Sequence, residues 1–350
     1  AVDPATQSKL ERDMFVAKQR QGQALLDQYG TLERPYRRMV GGDPAGVLNT
    51  LYDDYGLKTP AEVQFAANHV TGKDGTVSKM TRKLAASAEN VPTAISESFV
   101  NDILIDNGLN EQQMKSIKSQ IQAVMNRTGA DGYSDGATTL QAIKNLEGKI
   151  RDIKGQSGTY HNMSYEDKCR ASALQAVRDE LTDRLWANAD ISKVMTDKNL
   201  NELRAMYKDN PTWQNFVDNK LAKAKDGAEM RALMKPLVNG AHIIEGAQMT
   251  AGSFAEKVAG AAAKAGSAKG AAKNIVAAGA DALLNSEKAK QKRAERYANQ
   301  AKQAEAQLYG ETPVNTNTSK LGAIAGKAGD IAQGAKKIVL MLSYPSDEVG

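Results

Sequence analysis

Apolar residues recur along most of this chain at spacings of three and four, and capping signals mark where each run begins. Asp3-Pro4 supplies a cap and a first helical position, and Leu10, Met14, Ala17, Leu25 and Leu26 carry the helix to about Tyr29, where Gly30 ends it. Residues Arg34 to Gly46, with Pro35, Gly41, Gly42 and Pro44, read as an irregular connection holding three arginines, 34, 37 and 38, able to clamp phosphate or acidic groups. Thr59-Pro60-Ala61-Glu62 is a helix start, threonine as cap and glutamate returning a bond to it, for a helix through roughly Val70. Asn110 to Gln113 repeats that logic ahead of Met114, Ile117, Ile121 and Val124. Leu140, Ile143, Leu146, Ile150 and Ile153 form another stripe that ends at Gly155. Ser164 then caps a helix Tyr165 to Trp186 that buries Ala171, Leu174, Val177, Leu181 and Leu185. Two long amphipathic helices joined by a short Gly-rich loop predict an antiparallel hairpin. Further helices are predicted from Leu200 to Tyr207, from Pro211 (capped by Asn210) to Lys225, and from Ala228 to Val238, with Trp213 and Phe216 as core residues. The fold class is mainly α, an elongated set of helical hairpins or a bundle.

The pattern changes near the C-terminal end. From Gly246 to Ala282, Gly and Ala make up 21 of 37 residues, with lysines at 257, 264, 269 and 273. Such a tract has few large side chains for a core of its own. At 100° per residue Lys257 and Lys264 fall within about 20° of one another, while Lys269 and Lys273 lie more than about 100° away, so no single lysine stripe exists. With Asp281 and the interrupting glycines, this favours close packing in an assembly over insertion of one isolated membrane helix. Gly266-x-x-x-Gly270 and Gly322-x-x-x-Gly326 are the expected points of close helix approach. A basic helix, Glu287 to Leu308, follows and carries Lys288, Lys290, Lys292, Arg293 and Arg296. The polar stretch Gly310 to Ser319 reads as a linker, Leu321 to Gly334 as a second small-residue segment, and Lys336 to Leu342 as a docking peptide. The chain is thus divided into 1–46 (N-terminal helix and connection), 47–245 (helical-hairpin body), 246–309 (Gly/Ala tract and basic helix) and 310–350 (linker, small-residue segment and docking peptide).

Charge sharpens this division. Residues 251–350 hold 14 Lys and Arg against 9 Asp and Glu, so the whole formal charge of +5 lies there and the first 250 residues are neutral. A basic C-terminal arm suits nucleic acid or an anionic membrane surface. Aromatic residues are only 5% of the chain. One cysteine, Cys169, excludes an internal disulfide, and His69, His161 and His242 lie too far apart for zinc spacing. The start of the chain has no apolar core of signal-peptide type, and no run reaches the roughly 18 to 20 apolar residues of a membrane span, so a soluble chain is expected.

Catalytic motifs are sparse. Ser96-Glu97-Ser98 resembles the Glu-Ser pair of lytic transglycosylases, whose glutamate is a general acid, but the spacing to Gly129-Ala130-Asp131-Gly132 differs from theirs; the alternative places Glu97 at a helix start. Asp131 and Asp135 resemble the first ligands of a calcium loop, but Tyr133 and Ala142 stand at two ligand positions, so a turn is expected. No phosphate-binding loop occurs. No catalytic residue, cofactor or metal is expected.

A polar helical body, a single cysteine and stretches such as SFAEKVAGAAAKAGSAKGAAKNIVAAGADALL resemble the internal virion or DNA-ejection proteins of short-tailed bacteriophages, over residues 240–342. The resemblance implies a protein packaged in the virion, delivered to the host cell envelope on infection, and assembled as a homo-oligomer with portal or tail proteins into a conduit for the genome. On that expectation Lys288, Lys290, Lys292, Arg293 and Arg296 face DNA phosphates or anionic lipid. A structural virion or scaffold protein that only bridges portal, capsid or tail components is the alternative, and a muralytic enzyme acting through Glu97 ranks behind both.

Overall fold

Helix starts in this protein are written by their caps. In the computed structural model, which describes residues 3–71, 74–105, 107–128, 131–157, 163–247 and 271–309, Asp3 Oδ1 accepts from the backbone N–H groups of Ala5 and Thr6 to open α1 (Pro4–Tyr29). At α4 (Pro60–Thr71) Glu62 accepts from the Thr59 N–H at 3.0 Å while Thr59 Oγ1 accepts from the Glu62 N–H. Asn110 and Gln113 make the same reciprocal pair at 2.9 Å each, opening α7 (Glu111–Met125). Each satisfies N–H groups that the first helical turn leaves without partners.

The remaining elements are α2 (Arg34–Met39), α3 (Pro44–Tyr55), α5 (Thr76–Ala85), α6 (Glu97–Leu104), α8 (Gly136–Ser157), α9 (Tyr165–Ala187), α10 (Asp197–Met206), α11 (Pro211–Asn219), α12 (Gly227–Ala247) and α13 (Ala271–Tyr309). The fold is mainly α: among the described residues the only strands are β1 (Val91–Pro92) and β2 (Tyr133–Ser134), paired antiparallel. The connection expected to be irregular from Arg34 to Gly46 instead holds α2 and the start of α3. Pro35 and Pro44 each occupy a first helical turn, where a missing N–H costs nothing, and Gly41 and Gly42 take positive φ in the turn between.

Two apolar clusters meet at α9. One joins α1, α3, α4, α11 and α12, with Leu51, Trp213, Phe216 and Met234 fully buried. The other joins α6, α7 and α8 to α9 through Ile117, Leu146, Leu174, Val177 and Leu181. At the end of α9, buried Trp186 donates from Nε1 to Thr81 Oγ1 of α5 at 2.9 Å. Trp213 and Phe216 are core residues, with Phe216 stacked on Tyr55 at 3.9 Å between centroids and Trp213 Nε1 donating to the Leu203 carbonyl.

α12 runs well beyond the Val238 predicted for its end. Pro236 withholds an N–H from the ladder, and the Tyr55 hydroxyl donates to the nearby Leu233 carbonyl. The later turns persist because Ile243, Ile244, Gly246 and Ala247 are buried. Gly246, the first residue of the Gly/Ala tract, lies so close to α2 and the residues just before it that an added Cβ would meet Leu32 Cδ1 at 2.6 Å and Tyr36 Cβ at 2.7 Å. Residues 271–282 of the tract form the start of α13, while 248–270 lie outside the described residues. No helix among the described residues is long and apolar enough to cross a membrane.

Gly246→Val should therefore lower stability by about 1–3 kcal/mol through overpacking. Gly155→Ala, on an exposed stretch of α8 with nothing within 4 Å of the new methyl, should raise it by about 0.5–1 kcal/mol. Urea unfolding of the two variants beside the parent chain measures both.

Candidate basic interface

The basic helix is mounted on α1 through alanine. Ala294, Ala298, Ala301 and Ala304, spaced four, three and three apart, are buried along α13, whose principal neighbour is α1. The helices run antiparallel: Arg20 of α1 lies 5.9 Å from the Tyr297 ring, whereas Lys290 and Arg293 lie by Leu26 and Asp27, nearer the end of α1. Alanine allows close approach but contributes little burial. Four methyl groups at about 0.8 kcal/mol each give roughly 3 kcal/mol, no more than one or two buried leucines.

With alanine turned inward, the charges turn outward. Lys288, Lys292, Arg293 and Arg296 are exposed, and Lys288, Lys292 and Arg296 recur every fourth residue along one ridge at about 6 Å intervals. Arg296 lies 5.1 Å from the Tyr297 ring. Lys290 is half-buried and, with Arg293, lines a cleft of about 470 Å³ at the end of α1. Asp27 and Arg37 line the same cleft. Residues 37 and 290, far apart in sequence, are thus brought together, and Lys290 and Arg293 sit where the final carbonyls of α1 concentrate negative charge. Gly266, Gly270, Gly322 and Gly326 lie outside the described residues.

Elsewhere, several charges pair with one another. Lys168 pairs with Glu33 at 2.8 Å, Arg170 with Glu166 and Asp167, Arg184 with Glu180, and Arg204 with Asp218. Among the described residues Lys288, Lys292 and Arg293 make no such pair within 4.0 Å.

The other sequence candidates have local roles. Glu97 lies in the first turn of α6, its side chain 74% exposed, and the hydrogen bond and charge of Lys118 at 2.9 Å hold its carboxyl below the usual range. A general acid needs the opposite shift. Asp131 Oδ1 accepts from the Tyr133 N–H, and Asp135 Oδ1 accepts from the Thr138 N–H at 2.7 Å at the start of α8. Both aspartates thus close turns. Cys169 is fully buried, and burial pushes its thiol up to about 11.

Sequence reading missed a buried polar network between α9 and α12. Asp179 accepts from Arg178 through Oδ1 at 2.8 and 3.0 Å, and its Oδ2 lies 2.7 Å from His242 Nε2. Beside it Asp183 pairs with Arg231 and Lys235, and Glu245 with Lys154 and Gln175. Burial pushes the Asp179 carboxyl up, but the charges of Arg178 and His242 outweigh it and hold the group well below the carboxylate range. The available signal was Arg178-Asp179 set among Leu174, Val177, Leu181 and Leu185. Charges inside an apolar stripe require buried partners. The network joins two helices and leaves neither oxygen of Asp179 unengaged.

Compared with protein-family models, curated proteins and solved structures, the chain matches none of them.

Asp179→Asn strips the counter-charge from Arg178 and His242 and should cost about 3–5 kcal/mol. Because the folded pKa lies below the unfolded one, the contribution of Asp179 is present above about pH 4 and fades as pH falls below it. Urea unfolding between neutral and acid pH should show a steeper acid loss in the parent chain than in the variant.

Proposed function

We propose that this protein is a helical virion component of the ejection type, which assembles in several copies with portal or tail proteins into a conduit for genome delivery across the host envelope. The observation that carries the reading is the exposed basic ridge of α13, on which Lys288, Lys292, Arg293 and Arg296 make no ion pair among the described residues. An electrostatic ridge without directional partners suits a repeating anionic surface, DNA phosphates or lipid head groups, better than a single small ligand. The compositional resemblance supplies the biological setting. Lys288, Lys292, Arg293 and Arg296 are the contact residues, with Lys290 and Arg37 flanking them.

The test is salt-dependent binding of the full chain to a labelled DNA duplex and to anionic vesicles, with molar mass measured by light scattering. Neutralising four phosphates predicts an affinity that falls roughly 10²-fold between about 50 and 200 mM salt. Changing Lys288, Lys292, Arg293 and Arg296 together to Gln should abolish that dependence while leaving helical content unchanged. Oligomers that ignore both DNA and vesicles would favour the structural bridge between virion components. A monomer that ignores both would overturn either reading.

A further inference from the structure

Three cations from two distant parts of the chain converge on the cleft at the end of α1. Arg37 reaches it from α2, and Lys290 and Arg293 reach it from α13. Asp27 is the one carboxylate among the lining residues, and Gln23 Nε2 already donates to its Oδ1 at 2.9 Å. Even with the charge of Lys290 set wholly against Asp27, two guanidinium groups are left over. Neither Arg37 nor Arg293 makes an ion pair within 4.0 Å among the described residues. The final carbonyls of α1 offset only about half a charge. The cleft thus keeps an excess of positive charge, focused by its concave shape.

Shape separates the cleft from the ridge beside it. Lys288, Lys292 and Arg296 stand on an outward face that suits a run of backbone phosphates, whereas a cleft of about 470 Å³ falls among sites that enclose small groups, about 300–1,000 Å³. A phosphate within a nucleic acid strand is esterified on both sides and carries one negative charge. A terminal phosphate has a single ester link, three free oxygens and a charge of about −1.5 to −2 at pH 7, so it can enter a recess and answer the excess there. Guanidinium forks match such a group with paired N–H donors, and Thr31, also lining the cleft, adds a hydroxyl.

We propose that this cleft binds the terminal phosphate of a nucleic acid strand, with Arg37 and Arg293 clamping its oxygens and Lys290 beside them. The proposal rests on the reading of the ridge as a DNA contact and deepens it, the ridge taking the backbone and the cleft taking the strand end. Lys288 and Lys292 each lie about 3 Å from Lys290 along the helix axis, so a strand on the ridge has its end within reach of the cleft.

The test measures binding of the full chain to three short blunt duplexes at one salt concentration. One has 5′-phosphate ends, one has 5′-hydroxyl ends, and one has 5′-hydroxyl ends but is lengthened to match the total charge of the first. The phosphorylated duplex should bind about tenfold tighter than either of the others, the scale of an added charge-assisted contact. Arg37→Gln and Arg293→Gln should each bring that ratio close to one. Arg12→Gln removes the same charge from α1 about 21 Å before Leu26 and should keep the ratio. Equal affinity for all three duplexes, or a preference that survives both cleft substitutions, would overturn the proposal and leave the ridge as a DNA contact. A preference for phosphatidic acid over phosphatidylglycerol vesicles, with none among the duplexes, would overturn the strand end as occupant. A chain that binds no duplex would overturn the proposal together with DNA contact by the ridge.

Discussion

Helix α9 sets the terms for the rest of the body, because most of its length is enclosed by other helices. It packs against α2, α5, α6, α7, α8 and α12, and Cys169, Ala171, Ala173, Leu174, Val177, Leu181, Leu185 and Trp186 are all fully enclosed. The charges on its enclosed stretch cannot be left to water. Arg178 and Asp179 pair with each other on α9, and α12 supplies His242 to Asp179 and Arg231 and Lys235 to Asp183. The two apolar clusters meet along this helix, so its burial and its ion pairs couple the halves of the fold.

α13 follows the opposite rule. Its inner face is alanine and its outer face is basic, and it touches the body chiefly through α1. Buried and half-buried ion pairs tie helices of the body together, whereas α13 presents Lys288, Lys292 and Arg296 to solvent. The exposed basic face is the feature on which the proposal of anion contact by α13 rests. The cleft at the end of α1 refines the picture, since Lys290 and Arg293 turn partly toward Asp27 and the helix end while Lys288, Lys292 and Arg296 face outward.

Much of the body was legible because its signals are local. Capping at Asp3, Thr59, Asn110 and Ser164 depends on residues three positions apart, and the stripes at Ile117–Val124 and Leu174–Leu185 depend on helical period alone. Weak local signals were harder to read. The prolines and glycines between Arg34 and Gly46 suggested coil, yet Pro35 and Pro44 fit first turns, and burial of Tyr36 and Leu48 supports the helices on either side. The helix expected to end at Val238 continues as α12 to Ala247, its later turns kept by packing against Leu32 and Tyr36.

The basic ridge was readable residue by residue, but its support was not. The sequence by itself determined a mainly helical chain, its main starts and stripes, and the gathering of positive charge near its end, because composition, period and capping act over a few residues. Only the tertiary structure decided that Ala294, Ala298, Ala301 and Ala304 form a buried seam, that Arg37 joins Lys290 and Arg293, and that His242 meets Asp179. Those outcomes depend on which helix faces which. A small or charged side chain carries no mark of its distant neighbour until packing brings the two together.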